Sequence, residues 1–204
     1  MRKRELITAP TTIEDAYFAK AIWPVAGIDE AGRGPLAGPV VACAIILPHG
    51  VIIEGVNDSK KISIKRREKL AEIIKKLSIC YAFGIIEPHE IDKINILQAT
   101  LKAMSSAIDN LEIIPEIALV DGNARPQLSC KITCVVGGDS ASHLIAAASI
   151  LAKVERDRIM LELHKQYPHY GFDTHKGYGT IKHREAMKEH GLCPQHRESF
   201  CHGY

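Results

Sequence analysis

Four acidic residues stand where a structural acid seldom stands. Asp29 and Glu30 follow the apolar Val25-Ala26-Gly27-Ile28, Asp121 ends Ile117-Ala118-Leu119-Val120, and Asp139 follows Val135-Val136-Gly137-Gly138. Each lies at or just past the C-terminal end of a predicted strand, the edge at which open α/β sheets carry their sites. Singly, any of them also reads as a helix N-cap or a loop ion pair, and Asp139 before a helix is the plainest case. A cluster of four is harder to place as structure. Two carboxylates about 4 Å apart repel by about 4 kcal/mol at an effective dielectric of about 20, so such a cluster needs cations or shared protons. Hard divalent cations with oxygen ligands answer that need, and Mg²⁺ keeps waters that a substrate can displace. A pair of such ions can activate a water and stabilise the leaving oxygen of a phosphodiester.

The elements that must present these acids are legible from periodicity. Short apolar strands are predicted over residues 25–29, 39–47, 79–86, 116–121 and 129–136, the first ended by the glycine-rich stretch from Gly32 to Gly38. Successive side chains on a regular strand point to opposite faces. Asp29 and Glu30 therefore share a site only if the chain turns immediately after them, a turn that Gly32 and Gly34 permit. Leu70, Ile73, Ile74 and Leu77 repeat at helical spacing over residues 63–77. Pro88 opens a longer helix whose stripe runs Ile91, Ile94, Leu97, Leu101, Met104, Ile108 and Leu111. Helices are also predicted from about residue 142 to 166 and from about 180 to 190, where Gly191 supplies a stop. This order implies an α/β layer fold, a mixed sheet of about five strands flanked by helices. With no repeat or long linker, the 204 residues read as one domain, its segment from about 165 to 204 a helical C-terminal appendage.

Composition narrows the class. The longest apolar run, residues 40–47, falls far short of the roughly 20 residues that a membrane span needs. The basic start Met1-Arg2-Lys3-Arg4 lacks the apolar region of a secretory signal, so a cytoplasmic protein is expected. Cys43, Cys80, Cys130, Cys134, Cys193 and Cys201 include no Cys-x-x-Cys pair and are expected to be reduced; zinc held by Cys193, Cys201, His196 and His202 is the weaker alternative. The net charge of +2 is unevenly spread. Residues 60–76 hold eight basic and two acidic groups, whereas residues 77–152 hold four and eight. A basic segment beside an acidic body suits a protein that grips phosphates in one place and metal ions in another, although a solvated lysine-rich helix face accounts for the segment equally well. A dinucleotide-binding turn is excluded, because Gly32-x-Gly34 follows two acids and Pro35 and Pro39 interrupt the strand–turn–helix it requires.

Residues 27–40, Gly-Ile-Asp-Glu-Ala-Gly-Arg-Gly-Pro-Leu-Ala-Gly-Pro-Val, resemble the opening motif of ribonuclease HII. The resemblance continues through Asn57-Asp58-Ser59-Lys60-Lys61, Ile94-Asn95-Ile96-Leu97-Gln98-Ala99-Thr100, Val120-Asp121-Gly122-Asn123 and Gly138-Asp139-Ser140. It resumes over residues 146–154, Arg156-Asp157, Lys176-Gly177-Tyr178-Gly179-Thr180 and His196-Arg197-Glu198-Ser199-Phe200. Gly137 replaces a frequent lysine and Glu155 a frequent threonine or serine, and neither change removes an acidic group of the site.

The resemblance implies an RNase H-like fold in which Asp29, Glu30, Asp121 and Asp139 are catalytic and hold Mg²⁺ or Mn²⁺ in a two-metal site. It implies an endonuclease acting on the RNA strand of RNA–DNA hybrids and 5′ to single ribonucleotides in duplex DNA, leaving 3′-hydroxyl and 5′-phosphate ends. The backbone of Gly32, Arg33 and Gly34 would then meet the 2′-hydroxyl, the group that separates RNA from DNA, and Tyr178 would stack on the sugar at the junction. Lys60 and Lys61, with Arg66 and Arg67 behind them, and Lys176 are candidates for phosphate contacts. Lys153 reads either as a phosphate ligand or as a partner for a site carboxylate, and Asp157 as a helix-surface ion pair. Nothing in the sequence requires more than a monomer. The rivals are another RNase H-like nuclease, which has no use for the glycine loop and Tyr178, and a non-catalytic nucleic-acid-binding module, which has no use for four carboxylates.

Overall fold

In the computed structural model, which describes residues 7–203, the β-branched run Val40–Ile46 (β2) is buried at every position because helices cover both faces of its sheet. Its neighbours are Val25–Ala31 (β1) and Cys80–Ile86 (β3), both antiparallel to it. Ile117–Asp121 (β4) runs parallel to β1, and Lys131–Val135 (β5) parallel to β4, giving the mixed order β3-β2-β1-β4-β5. The register pairs Ile28 with Val120, so Asp29 and Asp121 leave adjacent central strands at the same end of the sheet.

Between β2 and β3 lies Ile64–Leu77 (α2), and after β3 comes Pro88–Asp109 (α3), which packs on the face carrying Ala26, Ile28, Ala42, Ala44 and Ile46. The expected unbroken helix is two segments. Asn95 has φ 66° and ψ 164°, and its side-chain oxygen accepts from the Gln98 amide at 3.1 Å, restarting the helix.

His143–Gln166 (α5) covers the opposite face. Its first half, Leu144 to Ala152, is buried all round, which removes an amphipathic signal there. A preceding helix, Thr12–Phe18 (α1), was not foreseen, because seven residues hold too few turns for periodicity. Its buried Glu14 accepts from Ser142 Oγ at 2.6 Å and the Leu144 amide at 2.7 Å, so a distant carboxylate caps α5 alongside Ser142 itself. Gly138–Ala141 (α4) is a single turn between β5 and α5.

The C-terminal region holds Phe172–His175 (α6) and Ile181–His190 (α7). Its core joins Tyr170, Phe172, Met187 and Cys201 to Met160 of α5 and Ala37 of the β1–β2 loop. Asp92 of α3 accepts from the amides of Glu198 and Ser199 at 2.9 and 3.1 Å, pinning the last turn. All six cysteines are free thiols. Among the described residues no helix is long and apolar enough to cross a membrane, and the basic stretch at residues 1–4 lies outside the described residues.

Candidate active site

The turn that Gly32 permits is present, with Ala31 between it and Glu30. β1 runs on through Ala31, and the chain turns at Gly32, where φ is +101° and a Cβ would sit 2.2 Å from Arg156 Nε. Asp29 lies on the sheet face covered by α5, near Ser149, whose hydroxyl bonds to that of Ser59 at 2.9 Å, while Glu30 lines a hollow with Leu97, Thr100, Met104 and Asp121. The two carboxyls nevertheless interact, since the negative charge of Glu30 raises the Asp29 carboxyl at the strand end.

Burial, then the negative charges of Glu30 and Asp121, hold the Asp29 carboxyl well above the usual carboxylate range. Glu30 is raised by burial and by Asp121, against the opposing charge of Arg33, whose Nη1 lies 3.4 Å from Glu30 Oε1. Asp121, the last residue of β4, accepts from the Gly138 amide at 2.7 Å, drawing α4 to the site. Asp139 is the second residue of α4, whose N-cap is Gly137, so it is not a capping residue. Burial and the charges of Asp58 and Asp121 raise its carboxyl, against Lys60, whose Nζ is 3.9 Å from Asp139 Oδ2. For Lys60 burial works against the charge, yet Asp139, Asp58, Asp29 and Asp121 together hold its ammonium above the ordinary range. The four predicted acids thus share one electrostatic site, with Lys60 beside it.

As positioned, no three His, Cys, Asp or Glu side chains among the described residues gather closely enough to hold a metal ion. The donor chemistry of the acidic site does fit a hard divalent cation. It consists of carboxylate oxygens crowded until burial and repulsion favour their protonated forms.

The Gly32–Gly34 loop is built from behind by two arginines to which the sequence reading assigned no role. Arg197, fully buried, donates to the carbonyls of Gly32 (2.6 Å), Arg33 (3.1 Å), Pro35 (2.9 Å) and Gly38 (2.7 and 3.0 Å). Arg156, equally buried, donates to Pro39, Ala37 and Lys176 at 3.0, 3.1 and 3.0 Å. Burial, then the charge of Arg156, pushes Arg197 down to about 9. With the carbonyls of Gly32 and Arg33 drawn inward, Arg33 and Gly34 stand exposed over this support. Gly34 faces the ring of Tyr178, since a Cβ there would lie 3.9 Å from Tyr178 Cε1. Tyr178 is 46% exposed, with Lys153 Nζ and Arg156 Cζ 5.9 and 6.0 Å from its ring centre.

The basic candidates divide. Lys60 is exposed, and Lys61 closes the turn Ser59–Lys61, its side chain lying outside what the structure describes. Lys176 donates to the Asp173 carbonyl. Arg67 is buried and paired with Asp157 at 3.3 Å, so it is no surface contact, and Lys153 pairs with the same Asp157 at 2.7 Å. Asp58 and Ser149 join the acidic site unforeseen. Both lie in the quoted motifs, but neither ends an apolar strand, the signal that marked the other acids.

Comparison with known proteins places this geometry. The ribonuclease HII family profile matches residues 26–203. The ribonuclease HII of Endomicrobium trichonymphae is 56% identical over 185 residues, covering 90% of this chain and 88% of its own. That of Caldanaerobacter subterraneus subsp. tengcongensis is 57% identical over 187 residues, covering 92% and 78%. Among solved structures, the chain matched in the PCNA:RNase HII complex from Archaeoglobus fulgidus superposes with a TM-score of 0.72 at 29% identity, covering 88% of this chain and 96% of that one.

Proposed function

The chain belongs to the ribonuclease HII family and is a ribonuclease H endonuclease, and from that premise we propose that it also nicks duplex DNA 5′ to a single embedded ribonucleotide. The observation that carries the reading is the exposed Gly34 facing the Tyr178 ring, one residue beyond Arg33, which pairs with Glu30 of the acidic site. A 2′-hydroxyl is small, and only a backbone without side chains in the way can test for it closely. In this reading Gly32, Arg33 and Gly34 meet the 2′-hydroxyl, and Tyr178 packs on the sugar at the RNA-to-DNA junction. Lys60, Lys61 and Lys176 contact phosphates without reading sequence.

Asp29, Glu30, Asp121 and Asp139 would hold Mg²⁺ or Mn²⁺. Bound as a pair, these ions supply an activated water and charge for the leaving 3′ oxygen. The protein's own contribution is to crowd the four carboxylates and to bury Asp29, Glu30 and Asp139 so that they accept cations, with the Gly138 amide orienting Asp121. The chain is read as a monomer working in the cytoplasm.

The test is cleavage of a DNA duplex containing one ribonucleotide, with Mg²⁺, Mn²⁺ or EDTA, beside Asp121→Asn. A single metal-dependent nick 5′ to the ribonucleotide, lost in the variant, is expected. Cutting of long hybrids alone would remove the junction-sensing role of Gly32–Gly34 and Tyr178. No cutting with any metal would leave a nucleic-acid-binding module as the better reading.

A further inference from the structure

Behind Tyr178 lies a group of histidines that the proposed reaction does not use. Their hydrogen bonds are directional, and one end of the chain is decided by chemistry. His183 Nδ1 lies 2.9 Å from the Tyr178 carbonyl, which can only accept, so the proton sits on Nδ1. In the neutral ring Nε2 is then an acceptor, and its partner at 3.1 Å, His196 Nε2, must donate. His196 Nδ1 is left as an acceptor, so of its two contacts with Cys193 the amide at 3.0 Å donates to it and the carbonyl at 3.3 Å is not a hydrogen-bond partner. Each proton position follows from the one before it.

A second histidine holds the other side of the same segment. His175 Nε2 donates to the Tyr170 carbonyl at 2.7 Å, so its Nδ1 accepts from the Gly177 amide at 3.2 Å. The rings of His175 and His183 stack, with centroids 4.4 Å apart and planes 19° apart. One ring of the stack thus accepts from the Gly177 amide and the other donates to the carbonyl of Tyr178. The segment is also tied to the glycine loop, because Leu36 donates to the Gly177 carbonyl at 2.9 Å. Gly177 has φ +82°, and a Cβ there would meet the Ala37 carbonyl oxygen at 2.4 Å.

We propose that the stacked His175–His183 pair, backed by His196, is a positioning device that sets Tyr178 against the Gly32–Gly34 loop and so governs recognition of a lone ribonucleotide. This rests on the reading of Tyr178 as the junction sensor. The histidines are positioning residues that act only through the backbone of Gly177 and Tyr178. A displaced ring would matter most where one junction is the only recognition signal, and least on a long hybrid offering many cleavable positions.

The test compares nicking of a duplex holding one ribonucleotide with cleavage of a long RNA–DNA hybrid, both with Mg²⁺, for wild type, Tyr178→Ala, His183→Phe and His183→Asn. His183→Phe keeps the ring and loses both hydrogen bonds, whereas the asparagine amide can still donate to the Tyr178 carbonyl. His183→Phe is expected to lower kcat on the single ribonucleotide about 10-fold with little change in KM and to alter the long hybrid less than about 2-fold, and His183→Asn to recover most of the loss. Equal losses on both substrates without recovery in His183→Asn would mean a merely structural role and overturn the proposal. If Tyr178→Ala shifts the substrate ratio and His183→Phe does not, the positioning proposal alone fails. If Tyr178→Ala leaves the ratio unchanged, the sensor reading fails and takes the proposal with it. Should His183→Phe not fold, long-range ¹H–¹⁵N NMR on the wild type decides. His183 protonated on Nδ1 and His196 on Nε2 are expected, and the opposite tautomer at either ring overturns the relay.

Discussion

At the end of β1 and in the first turn of α4, burial and like charge hold Asp29, Glu30 and Asp139 above the usual carboxylate range. In the C-terminal region, burial holds His175, His183 and His196 below the usual imidazole range. Both groups crowd titratable side chains out of water, yet their surroundings differ. Each histidine nitrogen described above has a partner of the right polarity, so the neutral cluster is complete within the chain. The carboxylates repel one another and, among the described side chains, find Arg33 and Lys60 as paired cations, at 3.4 and 3.9 Å. The difference teaches that desolvation alone does not mark a site. An unmet need for charge marks one, and a closed hydrogen-bond network marks a scaffold.

The largest effect should come from separating function from stability at the acidic end. Asp29→Asn keeps the oxygen that accepts from the Glu30 amide at 2.7 Å but removes a charge that the fold disfavours. Activity is expected to fall about 10³-fold or more, while the denaturation midpoint stays level or rises. A parallel loss of both would erase the contrast between the regions.

On the scaffold side the reverse is expected. Arg197→Met strips donors from the buried carbonyls of Gly32, Arg33, Pro35 and Gly38 and should cost about 3–5 kcal/mol in denaturant unfolding. A cost under about 1 kcal/mol would show that the loop holds its shape without the guanidinium.

The smallest effect is the response to acid. His183, pushed down to about 4 mainly by burial, is neutral in the fold while an unfolded chain takes up a proton near 6.5. Between those values the unfolded state binds more protons, so this contribution is complete above about pH 6.5 and is lost as pH falls toward 4. Asp29 and Asp139 act with the opposite sign, since carboxyls raised by folding favour the folded state at low pH and lose that contribution as pH rises. Thermal midpoints of wild type and His183→Asn across this range isolate the imidazole part, and the variant is expected to show the shallower decline. Identical slopes would mean that His183 is charged in the fold.

Much of the sheet was legible because each strand is a short apolar run bounded by glycine, proline or acid, and observed strand ends differ from prediction by at most two residues. The four acids were legible for the same reason, each marking where an apolar run stops. Helix α1 and the break at Asn95 were not, since one is too short for periodicity and the other lies within an unbroken apolar stripe.

By itself, then, the sequence determined the strands, the longer helices, their order and the family, because period, turn chemistry and contiguous motifs are local properties of the chain. Tertiary structure alone decided which side chains converge. Glu14 reaches α5 across 128 residues, Arg197 reaches Gly32 across 165, and the His183–His196 relay ends on Tyr178. Those contacts depend on how α5 and the C-terminal turns pack against the β1–β2 loop. A lone buried arginine or histidine carries no local pattern that announces the distant carbonyl it will hold.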